Sequence, residues 1–433
     1  MTLSIITAFP KRRVLPVIII LSFILIVIIL LRQEQQQQVS LNFVDISALS
    51  PVTEQNSKRR NDLNARIHQP VSLALLRGLL VFYPHDQEVF FLPELLWFYR
   101  SWLEMMKDEP LSWRTDLIVY TGVYTSALQQ LGCVYNRIRM DKNEPPQCRV
   151  FLYQRVHLRS INDVYKNANT HLYQQIDRNR SILLIQNLRT YVYLDSINII
   201  AECYPSFAMY DYILRTDLDV FLTKNFGHFV PYNDTILVGQ GGYSSVFTAN
   251  RLRRIAKNID WLYANITNIG STWYGPPRVA QRIANYSLEA MLHLAMNEFT
   301  KPEREGKFGT ALWPEWHYGV LLLYSCDMAI NHLVLKENIN IGLAYNLLDQ
   351  FSTKTDPYDI EKNNRLHIHC WHTQDRFSKF LFKEGKYNHI HPRTLIHDTS
   401  AAGYTLRLAL ESRLMSFDGL RQALLNAKNL SNV

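Results

Sequence analysis

The sequence predicts an α/β fold, a mixed and mainly parallel sheet flanked by helices, carried on a single N-terminal transmembrane helix. Three observations predict it. Strand-like and helix-like segments alternate from residue 71 onward, the pattern of a sheet covered by helices on its faces. The 433 residues are 47% hydrophobic and 12% aromatic, enough for a large core and too apolar for a disordered or disulfide-framework chain. Val14 to Leu31 forms a run of 18 residues in which only Pro16 and Ser22 are not strongly hydrophobic.

At about 1.5 Å per helical residue that run spans about 27 Å, close to the hydrocarbon layer of a thin endomembrane. A cleaved signal peptide has a shorter apolar core and a small-residue cleavage site, whereas Arg32-Gln33-Glu34 follows here. Lys11, Arg12 and Arg13 on the short side are expected to stay cytosolic, which directs the rest of the chain into the lumen. The expected organisation is a cytosolic tail at 1–13, a signal anchor at 14–31 and a stem at 32–70. A luminal domain at 71–395 and a helical extension at 396–433 follow, in a single-pass type II protein of the Golgi or ER membrane. The stem carries the tract Gln35 to Gln38 and the cluster Lys58-Arg59-Arg60, a composition too polar to fold alone.

Charge adds to this. The formal net charge is +8, yet residues 1–32 hold four bases and no acid, so only +4 belongs to the rest. No block of Lys and Arg exceeds three residues, which argues against a nucleic-acid partner. Walker, G-x-G-x-x-G and H-E-x-x-H motifs are missing as well, against P-loop, classical dinucleotide-binding and zincin chemistry.

Within the luminal part, Leu75 to Tyr83 reads as a buried strand ending at Pro84, and Glu88 to Met106 as a long aromatic-rich helix. Thr115 to Tyr120, Ile182 to Ile185 and Thr235 to Gly239 read as further strands. Leu321 to Ile330 with Asn331-His332 reads as a core helix in which Asp327 is the one candidate for chemistry. Of five cysteines, Cys133 and Cys148 flank a short loop containing Pro145-Pro146 and form the best disulfide candidate, buried free thiols being the alternative. Glycosylation sequons at Asn179, Asn233, Asn265, Asn285 and Asn429 are consistent with a luminal domain.

The most informative stretch is Tyr210 to Leu222, an apolar strand that runs into Asp217-Leu218-Asp219. Alternate residues of an extended chain face one side, so both carboxylates are expected to converge at the strand end. Converging carboxylates repel, and a hard divalent cation such as Mn²⁺ or Mg²⁺ removes the conflict while leaving positions for a diphosphate. A solvated strand boundary is the bland alternative. In open sheets ligands bind beyond the carboxyl ends of the strands.

An Asp-x-Asp at a strand end, on an anchored luminal α/β domain, resembles the GT-A class of nucleotide-sugar glycosyltransferases. The segments Leu214 to Thr223, Gly270 to Gly275 and Trp313 to Val320 resemble more closely a domain-of-unknown-function family related to those enzymes, over residues 75 to 395. The resemblance implies a GT-A-like, Rossmann-like fold and metal-dependent transfer of a sugar from a nucleotide sugar to a glycan, protein or lipid acceptor. It also implies that Asp217 and Asp219 hold the metal bridging the donor diphosphate. A C-terminal His completing the metal site fits His369, with His372 as a substitute, and a following Lys at the donor phosphates fits Lys379 or Lys383.

His367, His369 and Trp371 alternate onto one strand face. These histidines also admit a structural role, while a zinc site from His367, His369 and His372 matches no standard motif. Trp313-Pro314-Glu315-Trp316-His317-Tyr318-Gly319 joins acid, base and large rings, as a sugar-stacking wall requires, or as a packed turn would. Glu315 and His317 are candidate catalytic bases. Arg215 and Trp273 are candidate donor-binding residues. The competing functions are a glycan-binding pseudoenzyme of the same fold and a luminal metal-dependent phosphohydrolase.

Overall fold

The computed structural model describes residues 74–162, 177–232, 234–307, 315–370 and 377–430. The expected tail, anchor and stem, together with Trp313, Pro314, Trp371 and His372, lie outside the described residues.

Eight strands form one sheet in the order β3-β4-β2-β1-β5-β8-β7-β9. In chain order these are β1 (Leu75–Phe82), β2 (Trp113–Thr121), β3 (Val134–Tyr135), β4 (Cys148–Leu152), β5 (Tyr212–Arg215), β7 (Ile236–Gln240), β8 (Ile269–Gly275) and β9 (Ile341–Leu343). All pairings are parallel except those of β8 with β5 and β7. A second sheet, β10-β11-β6, joins β6 (Val220–Leu222), β10 (Gln350–Phe351) and β11 (His367–His369). The mixed, mainly parallel architecture expected from the alternation is present.

The helices of eight or more residues are α1 (Glu88–Met105), α2 (Arg178–Leu188), α3 (Asp195–Glu202), α4 (Val246–Asn258), α5 (Pro277–Asn297), α6 (Leu321–Lys336), α7 (Ala401–Leu414) and α8 (Phe417–Leu430). Leu76 and Leu80 of β1 join the core formed with α3, α5 and α6. The alternation of a strand turns Leu79 and Val81 to the other face, where α1 anchors itself by donating from Trp102 Nε1 to the Thr115 carbonyl, 3.0 Å away. Tyr318–Lys336 is long and apolar enough to cross a membrane, but most of it is buried inside the domain, so it is a core helix packed on α5.

One expected strand is a helix. Ile182 to Ile185 lies in α2, because Ser181, Leu184, Ile185 and Leu188 are buried at helical spacing and Asp177 caps the N-terminus by accepting from the Arg180 amide. The short apolar run matched a strand only when read without its neighbours. Cys133 and Cys148 do form a disulfide, while Cys203, Cys326 and Cys370 are buried free thiols. The C-terminal helices are part of the same compact unit as the sheet. In it α7 lies along α1, with Arg100 bonded to Glu411 at 2.6 Å and the Tyr404 hydroxyl donating to the Leu222 carbonyl at 2.8 Å.

Charges inside the sheet are matched. Asp116 accepts from Arg139 and Arg149, each at 2.7 Å, and from the Tyr210 hydroxyl at 2.6 Å. Arg77 is met by Glu109 at 2.7 Å and by the carbonyls of Phe226 and Gly227. Satisfied in this way, these ions stiffen the sheet far from the cleft.

Candidate active site

A cleft of about 630 Å³ opens beyond the ends of β1 and β5. Phe90, Phe91 and Glu94 of α1 form one side, Thr216 to Asp219 the floor, and Gln240, Ser271 and His317 another wall. Asp349, His369 and Lys379 close the charged end.

The strand expected before Asp217 is β5, which stops at Arg215; β6 begins at Val220, so Asp217 and Asp219 lie in the connection just beyond the strand end, no longer in extended pairing. Their convergence survives this change. One ligand atom each from Asp217, Asp219 and His369 lies within 4.8 Å of the others. The connection is fixed from α1, where Trp97 Nε1 donates to the Leu218 carbonyl at 3.2 Å and the Ser101 hydroxyl accepts from the Leu222 amide at 3.1 Å.

Antiparallel pairing of β11 with β6 brings the histidines to the aspartates. The two have opposite characters. His367 is fully buried; its Nδ1 accepts from the Asp349 amide at 3.2 Å, so the proton sits on Nε2 and is donated to Thr216 Oγ1 at 2.8 Å. Burial pushes its pKa down to about 4, the Asp349 charge opposing only in part. His367 therefore ties the Asp-x-Asp connection to Asp349 as a neutral strut. His369 places Nε2 3.2 Å from Asp219 Oδ1 and Nδ1 3.2 Å from Asp349 Oδ1. Burial alone would lower its pKa, but the two carboxylates hold it well above the usual imidazole range.

The two candidate lysines differ as well. The short helix Lys379–Lys383 presents both on one face. Lys379 Nζ lies 2.5 Å from Asp219 Oδ2 and lines the cleft. Lys383 lies 2.5 Å from Glu94 Oε1 and 3.2 Å from the Phe90 ring centroid, and it does not line the cleft. Burial would raise the Asp219 pKa, yet Lys379 and His369 together hold it well below the carboxylate range. Glu94 moves the other way, pushed up to about 7 by burial and by the Asp219 charge against the pull of Lys383 and Lys379.

Three further sequence candidates are placed elsewhere. Arg215 is buried and spent on the Ser271 and Ser196 carbonyls, Ser196 Oγ and Asp217 Oδ1, so it orients Asp217 rather than meeting a donor. Trp273 is fully buried, donating to the Gly270 carbonyl, and its neighbour Ser271 reaches the cleft instead. Glu315 is exposed and accepts from Ser245 Oγ at 2.9 Å, at the N-cap of α4 and outside the cleft lining. His317 does line the cleft, and its Nδ1 accepts from the Gly319 amide at 3.0 Å. Trp316 is buried, stacked against Phe299 and Tyr324 with centroids 5.1 and 4.5 Å away and with Arg251 4.1 Å over its ring, and has no face for a sugar.

Sequence reasoning missed Glu94 and Asp349. Glu94 carried a signal, a lone acid on the apolar side of an aromatic helix. Asp349 carried none: its role depends on Thr272, whose hydroxyl donates to it at 2.7 Å, and on His369.

Among solved structures, the apo WbbM bifunctional glycosyltransferase is similar at 8% identity and a TM-score of 0.35, over 71% of this chain and 48% of that one. This chain thus spans about half the length of WbbM. Apo mouse xyloside xylosyltransferase 1 is similar at 12% identity and a TM-score of 0.30, over 64% of this chain and 88% of that one. Galactosyltransferase LgtC, in complex with donor and acceptor sugar analogues, is similar at 10% identity and a TM-score of 0.35, over 78% of this chain and 97% of that one. No curated protein matches the sequence. Residues 72–433 match the family described as "Domain of unknown function (DUF7164)", and the chain belongs to that family.

Proposed function

We propose that this domain is a metal-dependent glycosyltransferase that moves a sugar from a nucleotide-sugar donor to a glycan, protein or lipid acceptor in the secretory pathway. In this proposal residues 14–31 anchor it as a type II protein of the Golgi or ER membrane. One observation carries the reading: Asp217, Asp219 and His369 converge within 4.8 Å beside Lys379, at one end of a cleft large enough for a nucleotide sugar.

The donor set, two carboxylates and one imidazole, suits Mn²⁺ or Mg²⁺ with the imidazole favouring Mn²⁺. Asp217, Asp219 and His369 would hold the ion, and when bound it supplies Lewis-acid neutralisation of the diphosphate leaving group. The protein's own side chains do the rest. Arg215 fixes Asp217 at 3.1 Å, so the carboxylate needs no reorganisation on binding. Lys379, lining the same cleft, would add positive charge to meet the donor diphosphate. His317 lines the same cleft within reach of a bound sugar or phosphate, while Phe90, Phe91, Tyr193 and Phe380 keep part of the wall apolar and limit water at the reacting carbon.

The test is a nucleotide-sugar panel with the full-length protein and Mn²⁺, following donor binding, donor hydrolysis and transfer. Turnover lost in Asp217→Ala/Asp219→Ala supports the proposal. Binding of glycans without turnover of any donor would favour a pseudoenzyme, and phosphate release from simple monoesters would favour a phosphohydrolase.

A further inference from the structure

Asp219 already has a full set of partners. Lys379 Nζ sits 2.5 Å from Oδ2, and His369 Nε2 sits 3.2 Å from Oδ1. Each oxygen of this buried carboxylate therefore faces a nitrogen, and the one on Oδ2 is an ammonium. A divalent ion entering between Asp217, Asp219 and His369 would share Asp219 with Lys379, two cations on one carboxylate.

Lys379 has few other places to go. Its ammonium is largely buried, and the nearby acids are committed: Glu94 is held by Lys383 at 2.5 Å, and Asp349 by Thr272 at 2.7 Å and His369 at 3.2 Å. Moving Lys379 off Asp219 without a new anion would strand a buried charge. A diphosphate in the cleft supplies that anion, since Lys379 lines the same cleft as the aspartates. Its neighbour one turn on, Lys383, is excluded from this part by its own pairing with Glu94 and Phe90.

We propose that Lys379 is a resident counter-ion of the metal site, making divalent-cation binding conditional on a nucleoside diphosphate to which Lys379 transfers from Asp219. The inference rests on the metal site proposed above. It makes Lys379 a positioning residue with two partners in sequence, Asp219 in the free protein and a phosphate oxygen in the loaded one. Linkage makes the effect reciprocal: the factor by which the diphosphate tightens the cation is the factor by which the cation tightens the diphosphate.

The experiment titrates Mn²⁺ into the full-length protein, following the free-ion electron paramagnetic resonance signal, alone and with UDP or GDP. Wild type is expected to bind Mn²⁺ weakly alone and at least about tenfold more tightly with one of the diphosphates. Lys379→Met is expected to bind Mn²⁺ alone about tenfold more tightly than wild type, with a smaller gain from the diphosphate. Lys379→Arg keeps the cation and should retain the wild-type pattern. Unchanged or weaker Mn²⁺ binding in Lys379→Met overturns the counter-ion role while leaving the metal site standing. Equal Mn²⁺ affinity of wild type with and without diphosphate overturns it without recourse to a variant. Failure of wild type to bind Mn²⁺ under any of these conditions removes the metal site itself.

Discussion

Asp217 and Asp219 belong to one motif but hold different positions in the fold, so replacing each by Asn tests the site's electrostatics. The Asp219 side chain is 9% exposed and shared by Lys379 and His369. Asp219→Asn keeps the shape and removes the charge, leaving Lys379 buried without its partner. Breaking one side of a buried pair costs about 3–5 kcal/mol, and the lower end applies because His369 can release its proton. The Asp217 side chain is 38% exposed and bonded to an Arg215 that has other acceptors. With the acid this exposed and Arg215 kept satisfied by its other acceptors, the pair contributes about 0–1 kcal/mol. With an unfolding entropy of roughly 0.7 kcal/mol/K for a domain of about 350 residues, the expected losses in Tm are about 4 °C for Asp219→Asn and about 1 °C or less for Asp217→Asn. Thermal melts of the full-length protein at neutral pH, without divalent cations, measure both, and Mn²⁺ binding should weaken in both. Equal Tm shifts, or a larger one for Asp217→Asn, would refute the assignment of Asp219 as the buried electrostatic centre.

Other outcomes follow from the same geometry. Burial pushes the Asp327 pKa up to about 7, even with the Tyr263 hydroxyl 2.5 Å away. The folded state then binds a proton more tightly than the unfolded state, so the stability from Asp327 is present below about pH 4 and is lost as pH rises toward 7. Asp327→Asn should flatten the fall in stability between pH 5 and pH 8 by about 1–3 kcal/mol, read from urea melts; parallel curves for variant and wild type would count against it. If the domain is luminal, Asn265, exposed in a positive-φ turn, should carry a glycan, whereas Asn285 should not, being on α5 with Ser287 of its sequon buried. Endoglycosidase shifts of Asn265→Gln and Asn285→Gln decide this, a shift lost only in the latter being the contrary result. Removing the Cys133–Cys148 disulfide by Cys→Ala at both positions should cost about 3 kcal/mol for a loop of this length, measured as a lowered urea midpoint.

The sequence disclosed the parts of this fold that follow from local pattern. The run from Leu75, the aromatic helix from Glu88 and the Asp-x-Asp connection are each readable from a dozen residues. Ile182 to Ile185 was misread because four apolar residues fit either period until Asp177 and Leu188 are counted with them. The site was legible to the extent that its residues announce their chemistry: Asp217, Asp219, His369 and Lys379 meet as expected. Glu315 and Trp273 lie off the cleft lining for a physical reason, since a polar or aromatic residue near a motif carries no information about which way its side chain faces. Asp349 could not be found at all, because three residues distant in sequence define it.

The brace of α7 on α1 also imposes an order in time. The Asp-x-Asp connection hangs from Trp97 and Ser101 of α1, and α1 is backed by residues from Ala401 onward. At a synthesis rate of about 5–20 residues per second, the Arg100–Glu104 side of α1 waits roughly 15–60 s for its cover to leave the ribosome. Throughout that interval Arg100 and Glu104 lack Glu411 and Arg407, and this face of α1 is open to chaperones. Maturation of this protein is therefore expected to depend on holding an early helix for a late one.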